Sequence, residues 1–385
     1  MDSRIVPVGG TIGILGGGQL GRMMALAGRS MGLRTVVWDP APGPAGEAAD
    51  HALWRPYNDT EAFDAFVSLV DRITYEFENV DYDAAMRLAA VRPVFPPPEL
   101  LRVSQHRLRE KDTARRLGLS TTPYAALQTV DDVSRAVREV GLPAVVKTVQ
   151  GGYDGKGQAR ASSLEEAVTA FHTLSAQGVL IYEKRVEFER EVSVVVARGE
   201  NGHVVTYPPT ENHHFNGILD YSLVPAAVPQ TVEVELIRQA EALADGLKLV
   251  GVMALEFFVG RDGRVLFNEM APRPHNSGHW TIEGAFPSQF AQHMRAVAGW
   301  TVSAPRLLAP SVMLNLLGDL FMEGLDRLPD VLTVPGAALH WYGKSEMRPG
   351  RKVGHVTVVA DTVEEALDRA RRVKALLGGG WNDGP

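Results

Sequence analysis

Residues 267–281 read Phe-Asn-Glu-Met-Ala-Pro-Arg-Pro-His-Asn-Ser-Gly-His-Trp-Thr, an acid, an arginine, two histidines and small hydroxyl and amide groups behind the apolar run Val265-Leu266-Phe267. Thirteen residues before Glu269, a second apolar run, Val252 to Val259, carries one acid, Glu256. Gly260-Arg261-Asp262-Gly263 between them is a hairpin signal. With Val259 paired to Arg264, Glu256 faces Phe267 and Glu269 lies two positions further along the same face, which makes the carboxylates diagonal neighbours roughly 7–8 Å apart. Two acids on an apolar face repel unless a cation sits between them. Oxygen ligands favour a hard divalent ion, Mg²⁺ or Mn²⁺. The plainer alternative is an edge hairpin with solvated glutamates.

Two glycine-rich turns offer anion chemistry. Ala144-Val145-Val146-Lys147 reads as a strand ending in a lysine, and Gln150-Gly151-Gly152-Tyr153-Asp154-Gly155-Lys156-Gly157 comes after it, with four glycines in eight residues. Such a loop can lay backbone N–H groups against phosphate. It is not a Walker loop, since no Gly-Lys-Ser/Thr opens a helix. A flexible hairpin is the plain reading, but Lys147, Lys156 and Asp154 favour a phosphate lid. The second turn, Gly16-Gly17-Gly18-Gln19-Leu20-Gly21, succeeds the strand Thr11 to Leu15, and Asp39 ends the next strand. That spacing suggests a dinucleotide site, although the same glycines serve any tight strand-to-helix turn near an anion.

The elements that must hold these groups are set by pattern and composition. A chain of 385 residues exceeds one ordinary core, so two or three domains are expected. A net charge of −7 argues against non-specific nucleic-acid binding. The absence of cysteine excludes disulfides, thiolate catalysis and cysteine-ligated zinc. Met1 to Leu15 does not read as a signal peptide, and no apolar stretch approaches the ~18 residues of a membrane span. Eight lysines stand against thirty-one arginines, and four of the eight, Lys147, Lys156, Lys344 and Lys352, fall in chemical motifs. A βαβ opening with acids at the strand end Ile73 to Val80 and a close at Phe95-Pro96-Pro97-Pro98 sets a Rossmann-like domain over 1–103. Helices over Glu110–Leu117, Val130–Val140 and Thr231–Leu247, with strands at Val179–Glu183 and Val192–Val196, fill 104–300, with a lid subdomain at about 115–183. A β-rich segment over 301–385 carries His340-Trp341-Tyr342-Gly343-Lys344, a Pro349-Gly350 turn, Arg351-Lys352, and a last helix opened by a Thr362/Glu365 capping box.

In this order the motifs resemble the ATP-grasp superfamily: a Rossmann-like pre-ATP-grasp domain, a strand-end lysine, a glycine lid and paired glutamates on a hairpin. Within it the chain is similar to the N5-carboxyaminoimidazole ribonucleotide synthases, over about residues 11–377. The resemblance rests on Gly-Gly-Gly-Gln-Leu-Gly-Arg-Met (16–23), Tyr-Glu-Phe-Glu-Asn-Val (75–80), the glycine lid, Glu-Asn-His-His (211–214), and above all Ala-Pro-Arg-Pro-His-Asn-Ser-Gly-His-Trp-Thr (271–281), completed by 341–344 and 348–355. The sister formate-dependent glycinamide ribonucleotide transformylases share Pro-Arg-Pro-His but not the continuation Asn-Ser-Gly-His-Trp.

The resemblance implies an α/β ATP-grasp ligase with a small β-rich C-terminal domain. It would carboxylate 5-aminoimidazole ribonucleotide with ATP and bicarbonate by way of carboxyphosphate, in purine biosynthesis. ATP would be held by Arg107, Lys147, the lid residues Gly152, Tyr153, Asp154, Gly155, Lys156 and Gly157, the hinge Glu183, Lys184, Arg185 and Val186, and by Glu191, His214, Asn268 and Glu269. Glu256 and Glu269 would hold Mg²⁺; many ATP-grasp enzymes add an asparagine two residues on, where this chain has Ala271. The acceptor would meet Gln19, Leu20, Glu76, Tyr153, Asp154, Arg273, His275, Asn276 and Ser277, with Lys344, Arg351 and Lys352 on its 5′-phosphate. Arg273 would stabilise charge, and Asp154 or His275 would take the amine proton. A cytoplasmic homodimer, with no nucleic-acid or membrane partner, is expected. Two other readings stand beside this one: an NAD-dependent oxidoreductase resting on Gly16, Gly18, Gly21 and Asp39, and a scaffold that binds Mg-ATP without turnover.

Overall fold

The computed structural model describes residues 5–151, 157–322, 324–344 and 346–381. Its N-terminal sheet is parallel, with strands β1 (Thr11–Leu15), β2 (Arg34–Asp39), β3 (His51–Trp54) and β4 (Arg72–Tyr75) in the order β3-β2-β1-β4. β1 is apolar on both faces because both are covered. Ile12 and Ile14 pack with Met23 and Met24 of the helix Gln19–Ser30, whereas Leu15, Trp38 and Tyr75 pack with Phe66 of the helix Thr60–Leu69. The carboxyl ends of β1 and β4 therefore open at one edge, where Gly16 to Gly18 and Glu76 meet.

A second sheet, antiparallel, contains β5 (Tyr124–Leu127), β6 (Ala144–Thr148), β7 (Gln158–Ala161) and β8 (Leu180–Lys184) in the order β5-β8-β6-β7. The helices Val130–Val140 and Leu164–Leu174 supply Val133, Ala136, Ala167 and Phe171 to its core. Val145 pairs with Glu183, so Lys147, two residues on, is its diagonal neighbour. Gly152, Tyr153, Asp154, Gly155 and Lys156 lie outside the described residues; Gly157 accepts at its carbonyl from Thr148 N at 2.9 Å.

The largest sheet joins the middle of the chain to its end. β9 (Arg190–Arg198), β10 (Val204–Thr206), β11 (Thr210–Phe215), β12 (Ile218–Val224), β13 (Gly251–Val259) and β14 (Val265–Ala271) are succeeded by a short ribbon of β15 (Ala285–Phe286) and β16 (Arg306–Leu307). β17 (Ser311–Leu317), β18 (Ala337–Trp341) and β19 (Lys352–Val359) then extend the sheet in the order β14-β13-β9-β11-β12-β17-β19-β18, with β10 on β9. The C-terminal strands thus continue the sheet that carries the glutamate hairpin, through the β12–β17 pairing. Met253, Leu255 and Phe257 point into a core with Leu236, Ala240 and Leu243 of the helix Gln230–Gly246. Each large side chain buried there contributes about 1.5–3 kcal/mol. The alternate residues, Glu256 among them, face the other side.

The hairpin register departs from the sequence expectation, and the departure builds the site. The loop runs from Gly260 to Arg264, one residue longer than expected, closed by Gly260 N on Arg264 O at 2.9 Å with Gly263 at φ +76°. Val259 therefore pairs with Val265, and Phe257 with Phe267. With that register alone, Glu269 would share the core face of Phe267. A β-bulge at Asn268 intervenes, so Glu256 pairs directly with Glu269 rather than diagonally. Met270 returns to the core opposite Leu255.

Candidate active site

The opposed pair is electrostatically unfinished. Burial, and then the Glu269 charge, push the Glu256 carboxyl up to about 7. Arg107 Nη1 lies 3.1 Å from Glu269 Oε2, and His275 Nε2 lies 3.7 Å from Glu256 Oε1. Among the described residues no group of three or more His, Asp or Glu side chains converges as a metal cage. Two facing carboxylates still fit a hard divalent ion that takes its other ligands from nucleotide phosphate.

Arg107 opens the helix Arg107–Arg116, three residues earlier than the expected start at Glu110. One face of that helix then carries Arg107, Glu110 and Lys111. Glu110 and Lys111 are buried, and neither stood among the sequence candidates. Glu110 Oε1 accepts from Met270 N at 2.6 Å, holding the strand just past Glu269. Burial and the Glu269 charge raise the Glu110 carboxyl to about 8. Their spacing beside Arg107 was the available signal, hidden by the misplaced helix start.

On the neighbouring sheet Lys147 Nζ donates to Glu183 Oε2 at 3.0 Å. Burial pushes Glu183 up, but Lys111, Lys147 and Arg107 together hold it at about 2, so it is ionised. The hinge is fixed by its backbone: Lys184 N donates to Pro123 O and Arg185 N to Pro143 O, at 2.8 and 2.9 Å. The Lys184 ammonium turns onto the Leu142 carbonyl, and Val186 is half-buried beside it. Across the cleft Glu191 Oε2 lies 2.8 Å from His214 Nδ1; burial lowers the His214 imidazole, but the hydrogen bond and charge of Glu191 outweigh it and raise the His214 pKa.

The 271–281 segment is organised around His275. Its Nδ1 shares a 2.9 Å hydrogen bond with Ser277 Oγ, which is itself 2.8 Å from Ser193 Oγ. Ser277 is fully buried, so its hydroxyl orients His275 from beneath. Burial, with Arg273 and Lys352 adding repulsion, pulls His275 well below the ordinary histidine value and keeps it neutral. Asn276 Nδ2 donates to Asn315 Oδ1 of β17 at 2.8 Å. Arg273 Nε donates to Glu78, the second acid of the Tyr-Glu-Phe-Glu-Asn-Val motif, which sequence reasoning left without a role.

At the N-terminal sheet edge Glu76 fills the glycine turn. Its carboxylate accepts from Gly18 N and, at 2.6 Å, from Gly21 N. A Cβ on Gly16 or Gly18 would collide with the Glu76 side chain, so these glycines admit a carboxylate. Asp39 Oδ2 accepts from Gly17 N at 2.8 Å. Both signals behind the NAD reading are thus met inside the protein, which removes its basis. Gln19 and Leu20 begin the helix, where amides have no intrahelical acceptor.

The C-terminal cations gather beside this edge. Lys344 Nζ donates to Lys352 O at 2.7 Å, and Arg351 Nη1 lies 3.2 Å from Glu346 Oε2. Burial and Arg351 pull Lys344 down to about 8, with Glu76 opposing them. The Lys352 charge acts on the carboxyls of Glu78 and Glu256 and on His275.

Comparison with known proteins shows the family of the chain. Family models of a ribonucleotide synthetase preATP-grasp domain, an ATP-grasp domain and a phosphoribosylaminoimidazole carboxylase C-terminal domain match residues 10–105, 112–290 and 311–369. The N5-carboxyaminoimidazole ribonucleotide synthase of Bacillus subtilis is 42% identical over 369 residues, 95% of each chain, and that of Brucella melitensis 43% identical over 360 residues, 93% of this chain and 98% of its own. The crystal structure of an N5-carboxyaminoimidazole ribonucleotide synthetase with ADP superposes with a TM-score of 0.91 at 41% identity, covering 97% of this chain and 98% of that one. The Aspergillus clavatus enzyme with ADP and 5-aminoimidazole ribonucleotide gives 0.87 at 27% identity, covering 96% and 99%.

Proposed function

The chain belongs to the N5-carboxyaminoimidazole ribonucleotide synthase family of ATP-grasp ligases, and for the ATP-dependent carboxylation of 5-aminoimidazole ribonucleotide that it carries out in purine biosynthesis we propose an assignment of residues to roles. Glu256 and Glu269 would hold Mg²⁺ or Mn²⁺, and the bound ion would supply neutralisation of phosphate charge. Lys147 and Arg107 bind the ATP phosphates. Glu183 to Val186 flank the adenine, Glu191 takes the ribose hydroxyls, and His214 and Asn268 complete the pocket. The observation that carries this reading is the direct pairing of Glu256 with Glu269, backed by Arg107.

Bicarbonate is a poor electrophile. Its oxygen attacks the γ-phosphate to give carboxyphosphate and ADP, a step that needs charge neutralisation more than acid or base. Arg273, fixed by Glu78, and Lys352 supply cations where that intermediate forms. The exocyclic amine of the acceptor then captures the carboxyl carbon and phosphate leaves. Neutral His275, oriented by Ser277, accepts the amine proton, with Asp154 on the lid as the other candidate. Gln19, Leu20, Lys344 and Arg351 hold the acceptor phosphate; Glu76, Tyr153 and Asn276 contact its remaining polar groups. Excluding water protects carboxyphosphate from hydrolysis. A cytoplasmic homodimer is the proposed setting. No helix among the described residues is long and apolar enough to cross a membrane, and size-exclusion chromatography with light scattering tests the dimer.

Steady-state ADP release by the wild type tests the acceptor, and the same assay on Glu256→Gln and Glu269→Gln tests the residue assignments. Wild-type release should rise strongly only when bicarbonate and 5-aminoimidazole ribonucleotide are both present with Mg-ATP. Faster release with glycinamide ribonucleotide and formate would move the chain to the sister activity.

A further inference from the structure

Two ammonium groups share one buried carboxylate oxygen. Glu183 Oε2 lies 3.0 Å from Lys147 Nζ and 3.7 Å from Lys111 Nζ, and Glu183 Oε1 has no hydrogen-bond partner among the described residues. The two lysines are differently held. Lys147 is 16% exposed and sits on the strand that opens the glycine loop, whereas Lys111 is sealed in the interior. Lys111 Nζ also donates to Thr122 Oγ1 at 3.1 Å and to the carbonyl of Asn268 at 3.3 Å. Asn268 is the bulge residue of β14, the position where the ladder to β13 is interrupted. The ammonium is therefore tied at once to the adenine-side strand, to the segment before β5 and to the metal-side strand. A compact point charge suits this confined position better than a planar guanidinium fork, in a chain that uses lysine sparingly.

We propose that Lys111 is the resident counter-ion of Glu183, and that its presence frees Lys147 to leave that carboxylate for the nucleotide phosphates. The proposal rests on the assignment of Lys147 to the ATP phosphates. A buried carboxylate stripped of its only cation is strongly disfavoured, so with Lys147 as sole partner, phosphate binding would have to work against Glu183. Lys111 removes that opposition because it cannot leave. Lys111 and Lys147, with Arg107, both act to keep Glu183 ionised. Lys111 is a positioning residue: it touches no substrate atom and acts through Lys147.

The test compares ATP with adenosine, which presents the same base and ribose but no phosphates to draw Lys147 away. Dissociation constants are measured by calorimetry, with adenosine by competition, for the wild type, Lys111→Met and Lys111→Gln. The glutamine variant keeps a donor for Thr122 and the Asn268 carbonyl if the methionine variant does not fold. ATP should weaken by about tenfold or more, the equivalent of one charge-assisted contact, while adenosine stays within about twofold. In a Glu183→Gln background the same Lys111 substitutions should cost ATP binding little. Parallel weakening of ATP and adenosine, unchanged ATP binding, or an equal penalty in both backgrounds would overturn the proposal. Lys147→Met separates the premise: unchanged ATP binding there overturns the phosphate assignment and the proposal with it. Lost ATP binding there, with parallel losses in the Lys111 variants, overturns the proposal alone.

Discussion

The glycine turn after β1 and the β13–β14 hairpin both look like ligand sites in sequence, and they end differently. At the turn, the amides of Gly18 and Gly21 are taken by Glu76 and that of Gly17 by Asp39, so donors and acceptors cancel within the protein. At the hairpin, two carboxylates face each other and Glu256 is driven up to about 7 by burial and by Glu269. A motif whose charges are met internally is scaffolding that aims its neighbours, here Gln19 and Leu20. A motif that leaves like charges opposed is built for a ligand of the other sign. Residue types alone do not separate the two; the partners do.

The sharpest break of the comparison is at the hairpin. Glu269→Gln keeps shape and removes one charge, so turnover should fall at least ~100-fold, as for loss of a transition-state electrostatic group. Glu256→Gln should behave alike, and initial rates at limiting and saturating Mg²⁺ report both. Near-normal rates at limiting Mg²⁺ would reject the hairpin as the metal site.

Breaking the turn should act on stability before chemistry. A methyl on Gly18 would displace the Glu76 carboxylate from its amides, at a cost of about 1–3 kcal/mol. Thermal unfolding of Gly18→Ala should drop by several degrees, with the Michaelis constant for ATP unchanged. A variant as stable as the wild type would mean that Glu76 does not hold the turn.

A smaller effect sharpens the contrast through pH. The Glu256 carboxyl is raised when folded, from its ordinary 4.5 to about 7. The folded state therefore binds more protons over that window, and the metal-free protein loses stability as pH rises through it. Glu110, raised to about 8, acts in the same direction. Mg²⁺ should reverse the loss, so the stabilisation it confers should be larger at pH 8 than at pH 6, by about 1 kcal/mol or ~1–2 °C in melting temperature. Glu256→Gln should flatten that difference. An equal Mg²⁺ shift at both pH values would place the ion away from this carboxyl.

How far the site was legible in sequence depends on the range of each interaction. Periodicity marked β13, β14 and their two acids. It could not show the five-residue loop or the bulge at Asn268, because a register is set by turn geometry and face burial, and two single-residue changes moved Glu269 from diagonal to opposite. Lys147 was recognisable at a strand end, but its pairing with Glu183 depends on β6 lying beside β8. Arg273 with Glu78, 195 residues apart, and Ser193 beneath Ser277 have no local signature at all. The ATP-grasp architecture came from the family resemblance. The continuity of the C-terminal strands with the hairpin sheet did not, because edge-to-edge pairing of β12 with β17 leaves no mark in either strand's pattern.

The central claim is that the ion sits between Glu256 and Glu269. Paramagnetic titration of Mn²⁺ in the presence of ADP tests it directly. Both Glu256→Gln and Glu269→Gln should weaken Mn²⁺ by at least about tenfold, while Gly18→Ala binds it as the wild type does. Unchanged Mn²⁺ affinity in the two hairpin variants, or its loss in Gly18→Ala alone, would contradict the claim.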